Sequence, residues 1–461
     1  MKMFQPSKLD FSRYKLPRVV LKNNCETIPL NQPNYQCDCD CACMVPHNSI
    51  SIPLPSPTVI YLELTPACPN HCPGCGNIFI DRNKKTKLKK SLSGIEWISI
   101  LSKFNPETTM VKLTGGEPTL HPDFYLIIDY LKKKAFPFVL LTTGRWKNPQ
   151  ALLETLSACS SFRGFLISLH GPTAEIHEAY TKSHGSFDDT LESIKSADQY
   201  KLNVTTSAVM FKQNLGQYKQ IVTKAIDNGA KHIIFARYIG KDIPNYTLNS
   251  DELIIAIKEV QKLVFDGFPV SFGNCIPQCF QMSSSSGCTA GDTFFTVDPW
   301  GIVRPCNHSD LEIGDILHRS LISIWHSDKW ADWREWNNPL CLDCSAFTQC
   351  KGGCRAFSYK SRVDPLMQKP VDKFVPIEQP FEEILLPANA VPEIKFSVIK
   401  VNNEYYLVHD GKIEIVSKEV LAFLDIINMK IPLHEVETIF GSQSVNFLGK
   451  LYVNRFIQLD Y

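Results

Sequence analysis

The sequence predicts an α/β chain: an open, partial barrel of six strand–helix units, then a cysteine-rich region, then a small α+β module. Three observations carry this. Short apolar, β-rich runs alternate with helix-like stretches; the 17 cysteines are clumped; and the last stretch packs close-set strands ahead of helices. At 461 residues the chain is too long for one compact core, and about 150 residues per domain suggests roughly three units. With 44% apolar and 21% charged residues it is not disordered and can bury a large core. Lys plus Arg (48) nearly cancels Asp plus Glu (47), so no basic field draws it to nucleic acid or anionic lipid. Met1–Asp10 lacks the apolar segment of a signal peptide, and no apolar run is long enough to span a bilayer. A cytoplasmic location, without membrane or nucleic-acid partners, is the expectation.

The barrel strands fall at Ile60–Leu64, Val111–Leu113, Phe138–Leu141, Phe165–Ser168, Val204–Ala208 and His232–Ala236. Helix-like stretches at Asp123–Lys133, Pro149–Ser157, Phe187–Tyr200 and Tyr218–Asn228 separate them, which implies a parallel sheet with right-handed crossovers. A span of about 180 residues is short for a closed eightfold barrel. Residues 1–57 are rich in proline and polar residues without a sustained period, and read as an irregular arm. Residues 361–393, with six prolines from Pro365 to Pro392, read as a linker or wrapping segment.

In residues 394–461, Phe396–Val401 and Tyr405–Val408 flank an Asn402-Asn403 turn, and Asp410-Gly411 leads to Ile413–Val416. Val420, Phe423, Leu424 and Ile427 follow at helical spacing behind Ser417 as N-cap. Leu433–Phe440 is a second helix stopped by Gly441, and Val445, Leu448 and Tyr452 begin a third.

Four cysteines lie in Cys37–Cys43, three in Cys68–Cys75 and eight in Cys275–Cys354, with Cys25 and Cys159 apart. In a reducing compartment such clumps read as metal ligands or redox centres. Behind the first barrel strand comes Cys68-Pro-Asn-His-Cys72-Pro-Gly-Cys75. Its prolines and glycine prevent a regular helix, so the three thiols sit on a loop able to curl around one centre. Thiolates ligate iron–sulfur clusters; a four-iron cube needs one ligand per iron, and three cysteines leave one iron open to a substrate. A structural zinc loop that recruits His71 is the competing reading.

This Cys-x3-Cys-x2-Cys loop after the first strand of a βα series resembles the radical S-adenosylmethionine (SAM) enzymes, over about residues 58–240. The resemblance implies a partial (β/α)6 barrel of the TIM type over 58–270, a SAM-binding [4Fe–4S] cluster on Cys68, Cys72 and Cys75, and SAM as cofactor. Gly115-Gly116-Glu117-Pro118 resembles the family's glycine-rich element, with the glycines approaching the methionyl amino group and Glu117 pairing with its charge. Thr142-Thr143-Gly144 matches a Thr-Asn-Gly position apart from Thr143. Ser168-Leu-His170-Gly171 resembles a ribose-contacting Ser-Leu-Asp-Gly turn, with His170 in the Asp place. Arg237 is expected to pair with the SAM carboxylate. The position before the third cysteine, usually aromatic, is Gly74, which removes an adenine-stacking partner. In the implied mechanism, one-electron reduction of SAM leaves methionine and a 5′-deoxyadenosyl radical that abstracts hydrogen from a substrate.

Cys288, twelve residues, Gly301, four residues and Cys306, followed by Cys341-x2-Cys344-x5-Cys350-x3-Cys354, resembles the SPASM extension, which binds two auxiliary iron–sulfur clusters. The resemblance places it over 271–360. It implies a first auxiliary cluster on Cys288, Cys306 and Cys354 with Cys279 as upstream ligand, and a second on Cys341, Cys344 and Cys350. The second normally takes a cysteine beyond Cys354, and none follows. Cys275 or a thiol of the N-terminal arm is the expected substitute; an open position or a non-cysteine ligand is the alternative. Four of the seven tryptophans, Trp325, Trp330, Trp333 and Trp336, read as packing against this region. His170 and His177 read as hydrogen-bonded structural residues, and the Lys84–Lys90 run as a solvated face. The Cys37, Cys39, Cys41, Cys43 series reads either as a ligand or hand-off segment or as a non-catalytic arm.

Three strands followed by three helices in 394–461 are similar in order to the winged-helix peptide-recognition modules of ribosomal-peptide maturases, which add a peptide strand to a sheet edge. The leading expectation is therefore a radical SAM/SPASM maturase acting on a precursor peptide (leader plus core). Crosslinking, epimerisation and backbone excision all stay open. It implies an electron donor such as flavodoxin or ferredoxin and leaves room for a small accessory subunit. A sulfatase-maturase-like or tetrapyrrole-modifying SPASM enzyme is one alternative; a non-catalytic iron–sulfur electron carrier is another.

Overall fold

The computed structural model describes residues 9–12, 14, 16–22, 53–75, 90–239, 243–280, 287–336, 339–341, 343–344, 346–358, 364, 366–367, 383–402 and 404–460. Its contacts divide into a larger unit, residues 36–374, and a smaller one, residues 1–35 with 375–461. Cys25, the Cys37–Cys43 series and residues 84–89 of the basic run lie outside the described residues. Among the described residues no helix is long and apolar enough to cross a membrane.

The first strand of the chain, β1 (Arg18–Lys22), belongs to the smaller unit. In the larger unit the six expected strands are present as β2 (Val59–Glu63), β3 (Met110–Thr114), β4 (Phe138–Thr142), β5 (Phe162–Ser168), β6 (Val204–Met210) and β7 (His232–Arg237). They pair in that order, all parallel. Their central residues, among them Ile60, Leu62, Val111, Leu113, Phe138 and Leu140, are fully buried, as strands covered on both faces require.

The crossovers are α1 (Gly94–Leu101), α2 (Phe124–Lys133), α3 (Pro149–Ser157), α4 (Ala174–Thr181) with α5 (Ser186–Gln199), and α6 (Tyr218–Asp227), before α7 (Ser250–Phe265). Helix α2 buries Phe124, Ile127, Ile128 and Leu131, one stripe at three- and four-residue spacing. Reciprocal caps fix the starts of α1 (Ser93 with Glu96) and α7 (Asn249 with Glu252).

The sheet extends beyond the six strands at both edges. Strand β8 (Val270–Phe272) pairs parallel with β7, and β9 (Phe294–Val297) pairs parallel with β2. Three or four residues are too few to display a period, which is why neither stood out in the sequence. From β9 the chain turns at Gly301 (φ +87°) into β10 (Ile302–Arg304) and then β11 (Gly314–Asp315), both antiparallel. The Asp298 carboxylate accepts the N–H groups of Trp300 (2.8 Å) and Ile302 (2.9 Å) and fixes that hairpin.

Around the hairpin lie short helices: α8 (Leu321–Trp325), α9 (Ala331–Arg334), α10 (Phe347–Cys350) and α11 (Arg355–Ser358). Trp325, Trp330 and Trp333 are buried, and the indole N–H groups of Trp330 and Trp333 donate to the carbonyls of Ile324 (2.9 Å) and Ala290 (2.8 Å). These tryptophans pack, as expected.

The smaller unit corrects two readings. Instead of an irregular arm, β1 pairs parallel with β12 (Glu383–Pro387), a strand hidden in the proline-rich segment. The two partners lie at opposite ends of the chain, so no local pattern announces them. Phe11 and Tyr14 are buried there against Phe447, with ring centroids 5.1 and 4.9 Å away.

The rest follows the predicted order. It runs β13 (Val391–Ile394), then the antiparallel meander β14 (Ser397–Val401), β15 (Glu404–His409) and β16 (Lys412–Val416). Then come α12 (Lys418–Ile427), α13 (Leu433–Phe440) and α14 (Ser442–Val453), and β17 (Ile457–Asp460), which pairs antiparallel with β13. Ser417 caps α12, and Asp410 and Gly411 both take positive φ (46° and 78°), the signature of a tight hairpin turn.

Candidate functional site

The chain leaves β2 at the C-terminal end of the parallel sheet and enters the loop of Cys68, Cys72 and Cys75. Neighbouring strand ends hold that loop. The N–H of Gly116 donates to the Thr65 carbonyl and that of Glu117 to the Ala67 carbonyl, both at 2.7 Å. A Cβ on Gly116 would lie 2.2 Å from the Ala67 oxygen, and one on Gly115 (φ +136°) 2.6 Å from the Thr65 oxygen. These glycines thus permit a close approach to the chain just ahead of Cys68.

On the other side, the Arg145 Nη1 reaches Asn70 Oδ1 (3.3 Å) and the Ser183 hydroxyl, while its Nε donates to Asp189 (2.8 Å). Ser183 donates to the Pro69 carbonyl (3.1 Å), and the His71 N–H donates to Thr181 (2.6 Å).

Glu117 is fully buried and accepts five hydrogen bonds. Oε1 takes the N–H (3.2 Å) and hydroxyl (2.7 Å) of Thr119; Oε2 takes the Thr142 hydroxyl (2.7 Å) and both the N–H (2.7 Å) and hydroxyl (2.8 Å) of Thr143. A carboxylate offers about four acceptor sites, so this one is saturated. Glu117 ties the glycine-rich loop after β3 to the Thr142-Thr143-Gly144 loop after β4.

Gly74 has a structural reason. A Cβ there would sit 1.9 Å from Cε2 of Tyr238, whose ring occupies the space an aromatic at position 74 would claim. Tyr238 packs with buried Tyr180 and Phe211, with Cys72 against them, and the Tyr180 hydroxyl donates to the Gly74 carbonyl (3.2 Å). Burial, reinforced by the Cys72 and Cys75 thiols, holds the Tyr180 phenol well above its ordinary range.

Ser168 ends β5 half-buried, on the same end of the sheet. His170 is not a stand-in for a ribose-binding carboxylate: its Nδ1 accepts the Val209 N–H (3.2 Å), and its own N–H donates to His177 Nδ1 (3.1 Å). Both imidazoles are buried, and burial holds His170 well below its ordinary pKa and His177 at about 4, so each is neutral and structural.

The Arg237 Nη1 makes a two-pronged contact with Asp364 (2.8 and 2.9 Å), Nη2 donates to the Cys275 carbonyl (2.9 Å), and its guanidinium lies 4.3 Å from the centre of the Phe357 ring. Both partners of the ion pair are buried. Through Nη1 and Nη2 Arg237 links the end of β7 to Asp364 and Cys275, while its buried Nε has no hydrogen-bond partner among the described residues.

A second buried pair, Arg304 with Glu63, joins the β10 hairpin to the end of β2, and Asn307 donates to Glu63 Oε1 (3.0 Å). Burial outweighs Arg304 and raises the Glu63 carboxyl to about 7. Arg304 also donates to the carbonyls of Asn307 (3.1 Å) and Ser309 (2.8 Å), shaping the loop of Cys306.

The eight downstream cysteines gather into two neighbourhoods. Cys306 feels the thiols of Cys288 and Cys354. Cys341 feels those of Cys350, Cys344 and Cys279, and Cys350 feels Cys279. Cys275 and Cys354 flank the Arg237 guanidinium. Cys279 is thus a neighbour of Cys341 and Cys350, and Cys275 and Cys354 both neighbour Arg237.

Burial pushes Cys68 and Cys341 each up to about 12. Such thiols give up their protons when a cation compensates the thiolate, which iron does. Among the described residues no three His, Cys, Asp or Glu side chains converge to hold a metal ion, so a closed zinc site is not preformed. An iron–sulfur cluster asks only one thiolate per iron, and three plus eight cysteines fit that chemistry.

Sequence reasoning missed Arg145, Tyr180, Tyr238, Glu63 and Asp364. Arg145 and Tyr238 directly follow flagged residues and could have been found. Asp364 sits in a tract with no period and could not.

Residues 62–225 match the radical SAM superfamily, and residues 288–345 match SPASM, an iron–sulfur cluster-binding domain. The chain is 27% identical over 283 residues to the antilisterial bacteriocin subtilosin biosynthesis protein AlbA of Bacillus subtilis, covering 58% of each. It therefore spans little more than half the length of that relative. It is 25% identical over 348 residues to PqqA peptide cyclase of Bradyrhizobium diazoefficiens, covering 70% of this chain and 88% of the cyclase. Its fold matches Streptococcus suis SuiB bound to the precursor peptide SuiA with a TM-score of 0.56 at 18% identity, over 70% of this chain and 77% of that one. With both sequence signatures matched and the cysteines gathered on that fold, the chain carries a radical SAM region followed by a SPASM iron–sulfur cluster-binding region.

Proposed function

We propose that this protein uses reductive cleavage of SAM to modify a ribosomally made precursor peptide. The observation that carries the chemistry is the Cys68–Cys75 loop, locked by hydrogen bonds to the ends of β3, β4 and α4 so that three thiols are presented at the C-terminal end of the sheet. Bound there, a [4Fe–4S] cluster and SAM supply a 5′-deoxyadenosyl radical able to remove a hydrogen atom from a substrate.

The chain's own residues have distinct parts. Cys68, Cys72 and Cys75 bind iron. Glu117 and Arg145 fix the loops on either side, and the Tyr180, Phe211 and Tyr238 wall keeps water from the face of Cys72. Gly115, Gly116, Thr143 and Ser168 lie along the same sheet end, where SAM is to be held.

The substrate class rests on the smaller unit and on the relatives. What supports a recognition module is a meander followed by three helices, with β14 at an edge of its sheet exposing Val398, where a peptide strand could add. AlbA is named for subtilosin biosynthesis, PqqA cyclase acts on a peptide, and SuiB is bound to a precursor peptide. A flavodoxin or ferredoxin as donor, room for an accessory subunit and a cytoplasmic location belong to this reading.

Removing residues 375–461 is expected to weaken binding of a fluorescent precursor peptide at least about tenfold, roughly 1.4 kcal/mol, while SAM cleavage continues. Unchanged peptide affinity would contradict the assignment of the module.

A further inference from the structure

We propose that the second auxiliary cluster takes its fourth thiolate from Cys279, upstream of Cys341, Cys344 and Cys350, and that Cys275 completes the first with Cys288, Cys306 and Cys354. The inference rests on the radical SAM/SPASM reading and concerns how eight thiols divide between two clusters.

Arithmetic requires an unusual donor. Residues 355–461 contain no cysteine, so the donor for the set led by Cys341 is sought upstream. The geometry supplies the closure from the segment Cys275–Cys279. The N–H of Gln278, the residue before Cys279, donates to Cys350 Sγ at 3.3 Å in a buried contact. Pro277, one residue earlier, fills the space beside Gly353, where a Cβ would lie 2.8 Å from the proline Cγ. The turn 350–353 is therefore seated on Pro277 and Gln278. The same turn brings Gly352 to 3.7 Å from Cys341 Sγ, measured from where a Cβ would stand. Cys279 is accordingly among the thiols whose charge reaches both Cys341 and Cys350.

Cys275 points its neighbourhood the other way. Its carbonyl is held by Arg237 Nη2 at 2.9 Å, and the guanidinium that holds it also senses the Cys354 thiol. Cys275, Cys288 and Cys354 are all buried in the main core of the larger unit, and Cys306, packed against that core, senses the Cys288 and Cys354 thiols. Four thiolates then fall to each cluster, which satisfies a cubane without any outside ligand. The loop Cys275–Cys279 supplies one donor to each, and Pro277, whose ring fixes its φ and which packs beside Gly353, stands between them.

The test uses the full-length chain with Cys68, Cys72 and Cys75 replaced by Ala, so that only auxiliary clusters are counted. After anaerobic reconstitution, iron and sulfide are assayed and the reduced clusters are recorded by electron paramagnetic resonance. This parent is expected to carry about eight irons. Adding Cys279→Ala or Cys341→Ala, or both together, should remove the same cluster and leave about four irons and one signal. Adding Cys279→Ala with Cys354→Ala should remove both. Circular dichroism and gel filtration select the folded samples, and Cys279→Ser serves as a milder variant.

The reverse pattern, in which Cys279→Ala with Cys341→Ala loses all iron while Cys279→Ala with Cys354→Ala keeps half, would overturn the proposal. So would Cys279→Ala and Cys279→Ser with the parent's iron and spectrum. A parent that binds no iron would sink the SPASM reading itself, a result distinct from wrong pairing.

Discussion

Glu117 shows how one buried side chain can tie two loops of a site together. Five donors from Thr119, Thr142 and Thr143 converge on its buried carboxylate. Glu117→Gln turns one acceptor into a donor facing hydroxyl and amide donors, and an unsatisfied buried donor costs about 1–3 kcal/mol. The expected outcome is a lowered melting temperature together with loss of iron from the Cys68 loop, read by thermal denaturation and iron assay. Unchanged stability would show that Glu117 holds nothing together.

The buried histidines give a second prediction at this scale. Burial lowers His177 and His232 to about 4 from an ordinary 6.5. Between pH 6.5 and 4 the unfolded chain takes up protons that the folded protein refuses. Stability therefore falls as pH drops through that window, and the loss is complete below about 4. His232→Gln, which keeps a polar partner for Ser271 (2.8 Å from His232 Nε2), should flatten the slope by on the order of 2 kcal/mol between pH 7 and 4.5. Urea denaturation at the two values measures it, and an unaltered slope would contradict the burial argument.

Among the elements, the cysteine loop and β7 are fitted to each other through Gly74 and Tyr238. Gly74→Ala places a methyl 1.9 Å from the Tyr238 ring, so the ring or the loop must move. Overpacking of this kind costs about 1–3 kcal/mol, and cluster content of the loop should fall with it. Tyr238→Ala in the same chain should restore the iron content, because the obstruction is gone. Failure of that rescue would mean that the glycine serves the backbone rather than the ring.

The same scale shows what sequence could reveal. The six strands β2 to β7 were legible because each is a five- to seven-residue apolar run flanked by turns. Asp410-Gly411 and Ser417 were legible because turn and cap chemistry is local. β1 and β12 were not, since each is stabilised by a partner more than 300 positions away in sequence.

Across the whole molecule, the residues that carry covalent or metal chemistry were readable and those that position them were not. Cys68, Cys72, Cys75 and the eight downstream cysteines announce themselves by type and spacing. Which thiols are neighbours depends on where the segment Cys275–Cys279 lands, and spacing cannot tell that. Arg237 and Glu117 were flagged for the right loops, while the pairing of Arg237 Nη1 with Asp364 and of the Glu117 carboxylate with threonines depends on the fold. A buried ion pair such as Arg237 with Asp364 costs about 3–5 kcal/mol when one partner is removed, which argues for a role in holding the two regions of the larger unit together.

The most direct measurement is chromatographic detection of 5′-deoxyadenosine after the anaerobically reconstituted protein is given SAM and dithionite. The account predicts its formation by the wild-type chain and none by Cys68→Ala, Cys72→Ala or Cys75→Ala chains that retain their auxiliary iron. No 5′-deoxyadenosine from wild-type protein carrying its full iron content, or continued production by the cysteine variants, would contradict it.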